Sequence, residues 1–483
     1  MTLRSVLLCC GALAAVCFVP PVRVATLPEV RSIDTAGRDR PVPREFAYVV
    51  APRRDEVTLL APFHDLAYAA ADASPVGCLW LLGGVVLLAF VRGLWSQGVR
   101  GALRRAVLAV ALGAPAIVGL LYLSSLLDGR MIHLGPEAAD YVPASLHNHT
   151  DVSTGLLSPR QVVIWHLKRG FRVLNISDKD SIRGGLRGRE AYRRLEEDEG
   201  PIEPRLVVVV GDEWHGQPDI VFVNTTTAPP LPPEPPAGAS REERHVLRLE
   251  HLTELAVRVH AEGGALFLAH PWSKVPGEMT IEEIFDAGLD GVEVVNGVIH
   301  GGEGRVQAAV EAKKSLFGVI DYKYGPHVTA MTLLDERLAQ SPEGVARAVR
   351  EGRRLVLYAI PGGARSSEEW KAAQVGLRGA MEGLDSLREA PRERRAVWFG
   401  WGAALLAIWC VATRREEGLG KHAARVLFLA CAAAELLLLL FLWSNVRFVV
   451  GTVPVPILLG AHAALAVPLL AASHSLAILE RRH

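Results

Sequence analysis

The chain has 483 residues, no net formal charge and a hydrophobic share of 50%. That share is high for a soluble protein, and the lack of a basic excess argues against a nucleic-acid partner. No cysteine lies between Cys78 and Cys410, which excludes disulfides and a thiol nucleophile from the middle of the chain.

The hydrophobic excess collects at the two ends. Nearly uncharged runs at about 5–22, 75–91, 106–126, 396–412, 426–443 and 453–479 are long enough to read as membrane spans. The first is either a signal peptide or a retained anchor. If the spans alternate, Arg4, the cluster from Arg92 to Arg105, the cluster from Arg414 to Arg425, and Arg481 with Arg482 all fall on one side. The excess of basic loop residues marks that side as cytoplasmic. Arg392, Arg394 and Arg395 pull the other way. The expected organisation is a leader or first span at 1–25, an external linker at 26–74, two spans in 75–127, a central domain at 135–365, a linker at 366–395 and three spans in 396–479. The lipid bilayer is thus an expected partner, and the central domain is expected on the external, periplasmic side of the cell membrane.

The central domain alternates strand and helix signals. Residues 142–147 read as a strand, and Ser158-Pro159 opens a helix to Arg169 with Ser as cap and Pro in the first turn. A strand at 172–177 precedes a charged helix at 189–199, and strands follow at 205–210 and 219–224. Seven of the eleven residues from Ala228 to Gly238 are neither helix nor strand formers but proline or glycine, so this is a stiff surface loop. Ser240 caps a long amphipathic helix to Glu262. Strands at 265–269, 291–295, 316–320 and 354–359 then alternate with helices at 281–287, 305–314 and 343–351. A repeated β–α pattern predicts a parallel sheet or barrel, with its site at the C-terminal ends of the strands.

Five polar residues stand at such ends: His147, His149, Glu213, His270 and Asp321. Two histidines spaced i, i+2 on extended backbone point the same way. Neutral imidazoles with carboxylates suit zinc, manganese or iron, and a carboxylate such as Glu213 can bridge two ions.

Taken in order, these residues resemble the polymerase and histidinol phosphatase (PHP) domain family across most of 140–360. The matching text is Leu146-His147-Asn148-His149-Thr150, Ser153-Thr154-Gly155, Ser158-Pro159, Ile176-Ser177-Asp178-Lys179-Asp180 with Gly184, Gly211-Asp212-Glu213, Ala269-His270-Pro271, Asp290-Gly291-Val292-Glu293-Val294 and Gly318-Val319-Ile320-Asp321. The resemblance implies an α/β fold, a distorted (β/α)7 barrel, here flanked by transmembrane helices. It also implies two or three metal ions and phosphoester hydrolysis.

The chain departs from the family pattern at four positions. Thr154 stands where the family has Asp or His, and Lys179 and Lys323 where it has ligand histidines. In the family those three positions serve one metal, so that site is expected to be lost as a unit. Asp219 stands where the family usually has His, with His215 nearby. The expected set is His147, His149, Glu213 and Asp321 on one divalent ion (Mn, Zn or Fe), and Glu213, His270 and Asp219 on a second. Lys179 and Lys323 either hold substrate phosphate as point charges or are ordinary surface lysines. The expected substrate is a phosphate ester or diester, on a phosphorylated small molecule or an envelope component. The alternative is a degenerate ligand-binding or sensory module, although no signalling domain is visible in the short loops. Transport is disfavoured because the spans carry almost no charge beyond Glu435.

Overall fold

The computed structural model describes residues 28–50, 61–72, 74–215, 218–230, 236, 238–274, 279–297, 299–301, 303–323, 325–351, 354–360 and 397. The chain divides into two compact units, with Arg53–Ser124 in one and Thr26–Pro52 and Ser125–Val375 in the other.

The first unit holds the long apolar helix Ser74–Leu126, broken by non-helical backbone at Gly98 (φ 68°). The break separates the two expected spans. Its second leg, Gln97–Leu126, contains an 18-residue window with a mean hydropathy of 2.3, and it alone among the described residues is long and apolar enough to cross a membrane. Leu87, Leu88, Trp95, Val107 and Val118 are exposed along the two legs. The expected spans at 5–22 and 396–479 lie outside the described residues, Val397 apart.

The second unit is a curled mixed sheet with helices outside it. Its strands are β1 (Arg31–Ile33), β2 (Asp39–Pro41), β3 (Ala47–Val50), β4 (Met131–Leu134), β5 (Tyr141–Ser145), β6 (Val173–Ile176) and β7 (Val207–Trp214). There follow β8 (Ile220–Val223), β9 (Ala265–Leu268), β10 (Gly291–Asn296), β11 (Ile299–His300), β12 (Ser315–Val319), β13 (Ala330–Asp335) and β14 (Arg354–Tyr358). The path runs β11-β10-β9-β8-β7-β6-β5-β13-β14-β1-β2, with β12 on β10 and β3 paired separately with β4. Strands β5, β6 and β7 pair in parallel, as do β9, β10 and β12, while β8 lies antiparallel between β7 and β9.

Two contacts curl the sheet towards closure. The Thr332 hydroxyl of β13 accepts from the Gly318 N–H of β12 and donates to the Gly318 carbonyl, at 3.0 and 2.9 Å. A Cβ at Gly318 would stand 2.5 Å from Val356 Cγ1, so only glycine allows this approach. Beyond the strand ends, the His149 N–H donates to the Tyr322 carbonyl at 2.8 Å.

Strand alternation divides the core in two. On one face Val207, Val209, Phe267, Phe317 and Val319 pack with the apolar side of helix Pro342–Glu351. On the other, Trp214, Phe222, Leu266, Leu268, Val292 and Val294 pack against helices including Arg241–Ala261, through Leu252, Leu255 and Val259. Helices Pro159–Lys168 and Arg241–Ala261 begin with capping boxes on Ser158 and Ser240, as their sequences predict. Helix Arg183–Glu199 starts six residues earlier than expected, over Gly184 and Gly185. Low propensity argues against glycine there, but packing demands it: a Cβ at Gly184 would meet Asp178 Oδ2 at 1.6 Å, and one at Gly185 would stand 3.0 Å from Val210 Cα.

Candidate metal centre

The same alternation sets the site. Glu213 lies two residues beyond Gly211 and four beyond Val209, on the inward face of β7; Asp321 lies two beyond Val319. Each polar residue therefore caps an apolar row where the rows run out. His147, His149 and Glu213 are fully buried, and Asp219 is 1% exposed.

Four groups converge. His147 Nε2 stands 3.2 Å from His149 Nε2 and 3.6 Å from both Glu213 Oε1 and Asp321 Oδ1. His149 Nε2 is 3.3 Å from Glu213 Oε2 and 3.1 Å from Asp321 Oδ1. A second cluster shares Glu213: its Oε1 is 3.0 Å from His270 Nε2, and His270 Nδ1 is 3.7 Å from Asp219 Oδ2. His215 Nδ1 lies 3.4 Å from Asp219 Oδ1. His270 and Asp321 both have positive φ, 21° and 46°. Such backbone is costly for non-glycine residues and concentrates at functional sites.

The electrostatics are those of a tightly coupled cluster. Burial works against a charge on His147, but Asp321, Glu293 and Glu213 outweigh it and hold its pKa well above the usual imidazole value. Burial also opposes ionised Glu213 and Asp321, yet the histidines, and Lys323 beside Asp321, hold both carboxyls below their ordinary range. His149 goes down, first through burial and also through His147. Burial lowers His270 too, but its bond to Glu213 raises it overall.

The donor set fits a divalent transition metal. Ring nitrogens and carboxylate oxygens of His147, His149 and Asp321, and of His147, Glu213 and His270, lie within 4.8 Å of one another, as do those of Glu213, His215 and Asp219. Glu213 Oε2 and Asp321 Oδ1 are buried and accept no well-formed hydrogen bond, although imidazole nitrogens stand close to both. Two ring nitrogens facing each other at 3.2 Å have one donor role too many or one too few, unless a proton or a cation lies between them.

Both departing lysines reach this cluster. Lys179 Nζ is 3.2 Å from Glu213 Oε2, and Lys323 Nζ is 2.9 Å from Asp321 Oδ2. Their side chains are 23% and 34% exposed, which puts them at the rim, within reach of a ligand. Burial disfavours charge on Lys323, but Asp321 raises its pKa and keeps it protonated. Thr154 is exposed in the turn after His149.

Two residues of the matching motifs carry roles that the sequence did not assign to them. Glu293, fully buried in β10, accepts from His147 Nδ1 at 2.7 Å. The visible signal was an acid between Val292 and Val294 in an otherwise apolar strand. Asp178 ties down the histidine loop: its carboxylate accepts from the Thr150 N–H and hydroxyl, both at 2.7 Å, and from the Ser153 hydroxyl at 2.6 Å.

No protein-family model matches the chain. An uncharacterised protein of Methanocaldococcus jannaschii is 29% identical over 167 residues, which span 32% of this chain and 81% of that protein. Among solved structures, a two-domain Bacteroides vulgatus protein containing a predicted PHP-like metal-dependent phosphoesterase is 14% identical. It covers 49% of this chain and 69% of its own, with a TM-score of 0.33. A predicted metal-dependent phosphoesterase of Bifidobacterium adolescentis is 15% identical, with 38% and 88% covered and a TM-score of 0.27. An amidohydrolase of Chromobacterium violaceum, solved with sulfate and no metal, is 16% identical, with 37% and 87% covered and a TM-score of 0.27.

Proposed function

We propose that this chain is a membrane-anchored, metal-dependent phosphoesterase of PHP type that acts on a phosphate ester or diester outside the cytoplasm. One observation carries the reading: His147, His149, Glu213 and Asp321 converge at strand ends of one curled sheet, beside a second cluster that shares Glu213. His147, His149, Glu213 and Asp321 would hold one divalent ion; Glu213, His270 and Asp219 would hold another. When bound, such an ion supplies Lewis-acid polarisation of a phosphoryl oxygen and a more acidic water.

The chain's own residues do the rest. Asp178 fixes the loop that carries His149. Lys179 and Lys323 present ammonium groups at the rim, where they pair with phosphoryl oxygens and stabilise the charge that develops there. They take over the charge of the metal whose ligands the family places at 154, 179 and 323. The same contacts support a second reading. Ammonium groups already paired with Glu213 and Asp321 would suit a domain that binds an anionic ligand without turnover.

The weave of the fold bears on topology. Strand β1 pairs with β14 and β3 with β4, so residues before and after the segment 53–124 belong to one unit. A segment that leaves and returns to the same unit crosses a bilayer an even number of times. This favours a hairpin broken at Gly98, and a domain on one side only.

The test is hydrolysis of a broad panel of phosphate mono- and diesters by the full-length chain in detergent, with Mn, Zn or Fe added. Activity that disappears in Glu213→Gln supports the hydrolase. Metal and phosphate-ester binding without turnover selects the second reading. For location, a reporter active only outside the cytoplasm should work after Ser240 and fail after Gly418.

A further inference from the structure

The two halves of the site are joined by a residue in neither. Glu293 is fully buried on β10, at a bulge where the pairing with β12 shifts register between Glu293 and Val295. Bulges re-aim side chains, and this one turns a carboxylate towards the centre. One oxygen lies 2.7 Å from His147 Nδ1. The other accepts from the His270 backbone N–H at 2.7 Å and from Asn296 Nδ2 at 3.0 Å.

Each contact does something specific. An imidazole whose Nδ1–H donates to a carboxylate keeps the lone pair of its Nε2 free for a cation. His147 Nε2 is the atom that faces His149, Glu213 and Asp321. The second oxygen grips the amide of His270, whose φ of 21° is unfavourable for a side-chain-bearing residue. That grip holds the backbone from which His270 Nε2 reaches Glu213 Oε1 at 3.0 Å.

We propose that Glu293 is a positioning residue: its single buried carboxylate sets the His147 tautomer and the His270 backbone together, so that both halves of the metal centre assemble as one unit. This rests on the metal-centre reading above. Its partner groups are all donors, so a carboxylate satisfies them and an isosteric amide cannot. In Glu293→Gln, an amide nitrogen turned to His147 forces the proton onto Nε2, the atom needed for the ion. Turned the other way, the amide nitrogen meets the His270 N–H and Asn296 donor to donor. Either orientation spoils one half of the centre.

The experiment measures Mn and Zn affinity of the full-length chain in detergent, by equilibrium dialysis with elemental analysis. Circular dichroism and melting of the metal-free protein report the fold. Glu293→Gln should weaken binding by roughly 10- to 100-fold, the usual cost of losing an outer partner of a metal-ligating histidine. Glu293→Asp keeps the charge but falls about 1.5 Å short, so it cannot satisfy both sides and should lose at least tenfold. Asn296→Ala removes a spectator donor and should stay within threefold. The idea is overturned if both Glu293 variants bind within threefold of wild type, or if Asn296→Ala loses as much as Glu293→Gln. A wild-type chain that takes up neither metal overturns the metal-centre reading itself. A positive wild type with unaffected Glu293 variants overturns only this inference.

Discussion

Gly184→Ala sets helix propensity against site packing. On propensity alone, alanine in a helix is better than glycine by up to about 1 kcal/mol. The structure gives the opposite sign. A Cβ at Gly184 would lie 1.6 Å from Asp178 Oδ2, 2.8 Å from its Cγ and 2.9 Å from Thr150 Oγ1. The Asp178 carboxylate must therefore leave, or the helix Arg183–Glu199 must shift. If it leaves, three donors on Thr150 and Ser153 lose a charged acceptor. Hydrogen bonds to charged groups contribute about 1.5–3 kcal/mol each. Allowing for partial relaxation and the propensity gain, the net cost is roughly 3 kcal/mol. For a domain of this size that lowers the melting temperature by about 6–12 °C. The assay is thermal unfolding of the full-length chain, in wild-type and Asp178→Ala backgrounds. With Asp178 truncated the main clash is gone, so Gly184→Ala should move the midpoint by no more than about 2 °C. A rise in the wild-type background, or equal losses in both, would refute the reasoning.

Two further outcomes are expected. Lys179→Ala and Lys323→Ala should each lower turnover of a phosphate ester roughly a hundredfold while metal content stays intact; rates within twofold of wild type would reduce the lysines to surface charges. Asp212 is buried with neither carboxylate oxygen hydrogen-bonded, and burial, then Asp180, Glu213 and Asp178, push its pKa up to about 8. The folded state then keeps a proton that the unfolded state releases near pH 4, so this group lowers stability as pH rises from about 4 to about 8. The melting-temperature advantage of Asp212→Asn over wild type should grow across that window, and a constant difference would show that Asp212 is solvated or paired.

What the sequence made legible were features whose cause is local. The His147-x-His149 spacing, Ser158 and Ser240 as caps, and the apolar rows ending in Glu213 and Asp321 all follow from strand and helix periodicity. Features that depend on distant neighbours were not legible. Strands β1 and β2 are three residues each, rich in Arg and Pro, and exist because β14 offers an edge to β1. Nothing local marks Glu293 as a partner of His147, because the two are 146 residues apart in the chain. The glycines that open helix Arg183–Glu199 read as helix breakers until the space they must fit is known.

The central claim is that two histidines, Glu213, His270 and an aspartate form a metal centre. Its most direct test is elemental analysis of the purified full-length chain after loading with Mn, Zn or Fe and removal of excess ion, compared with the His147→Ala, His149→Ala double variant. The account predicts one or two ions per chain in the wild type and loss of at least one in the variant, with the fold unchanged by circular dichroism. A wild-type chain that stays metal-free with all three ions, or a double variant that retains its full complement, would contradict it.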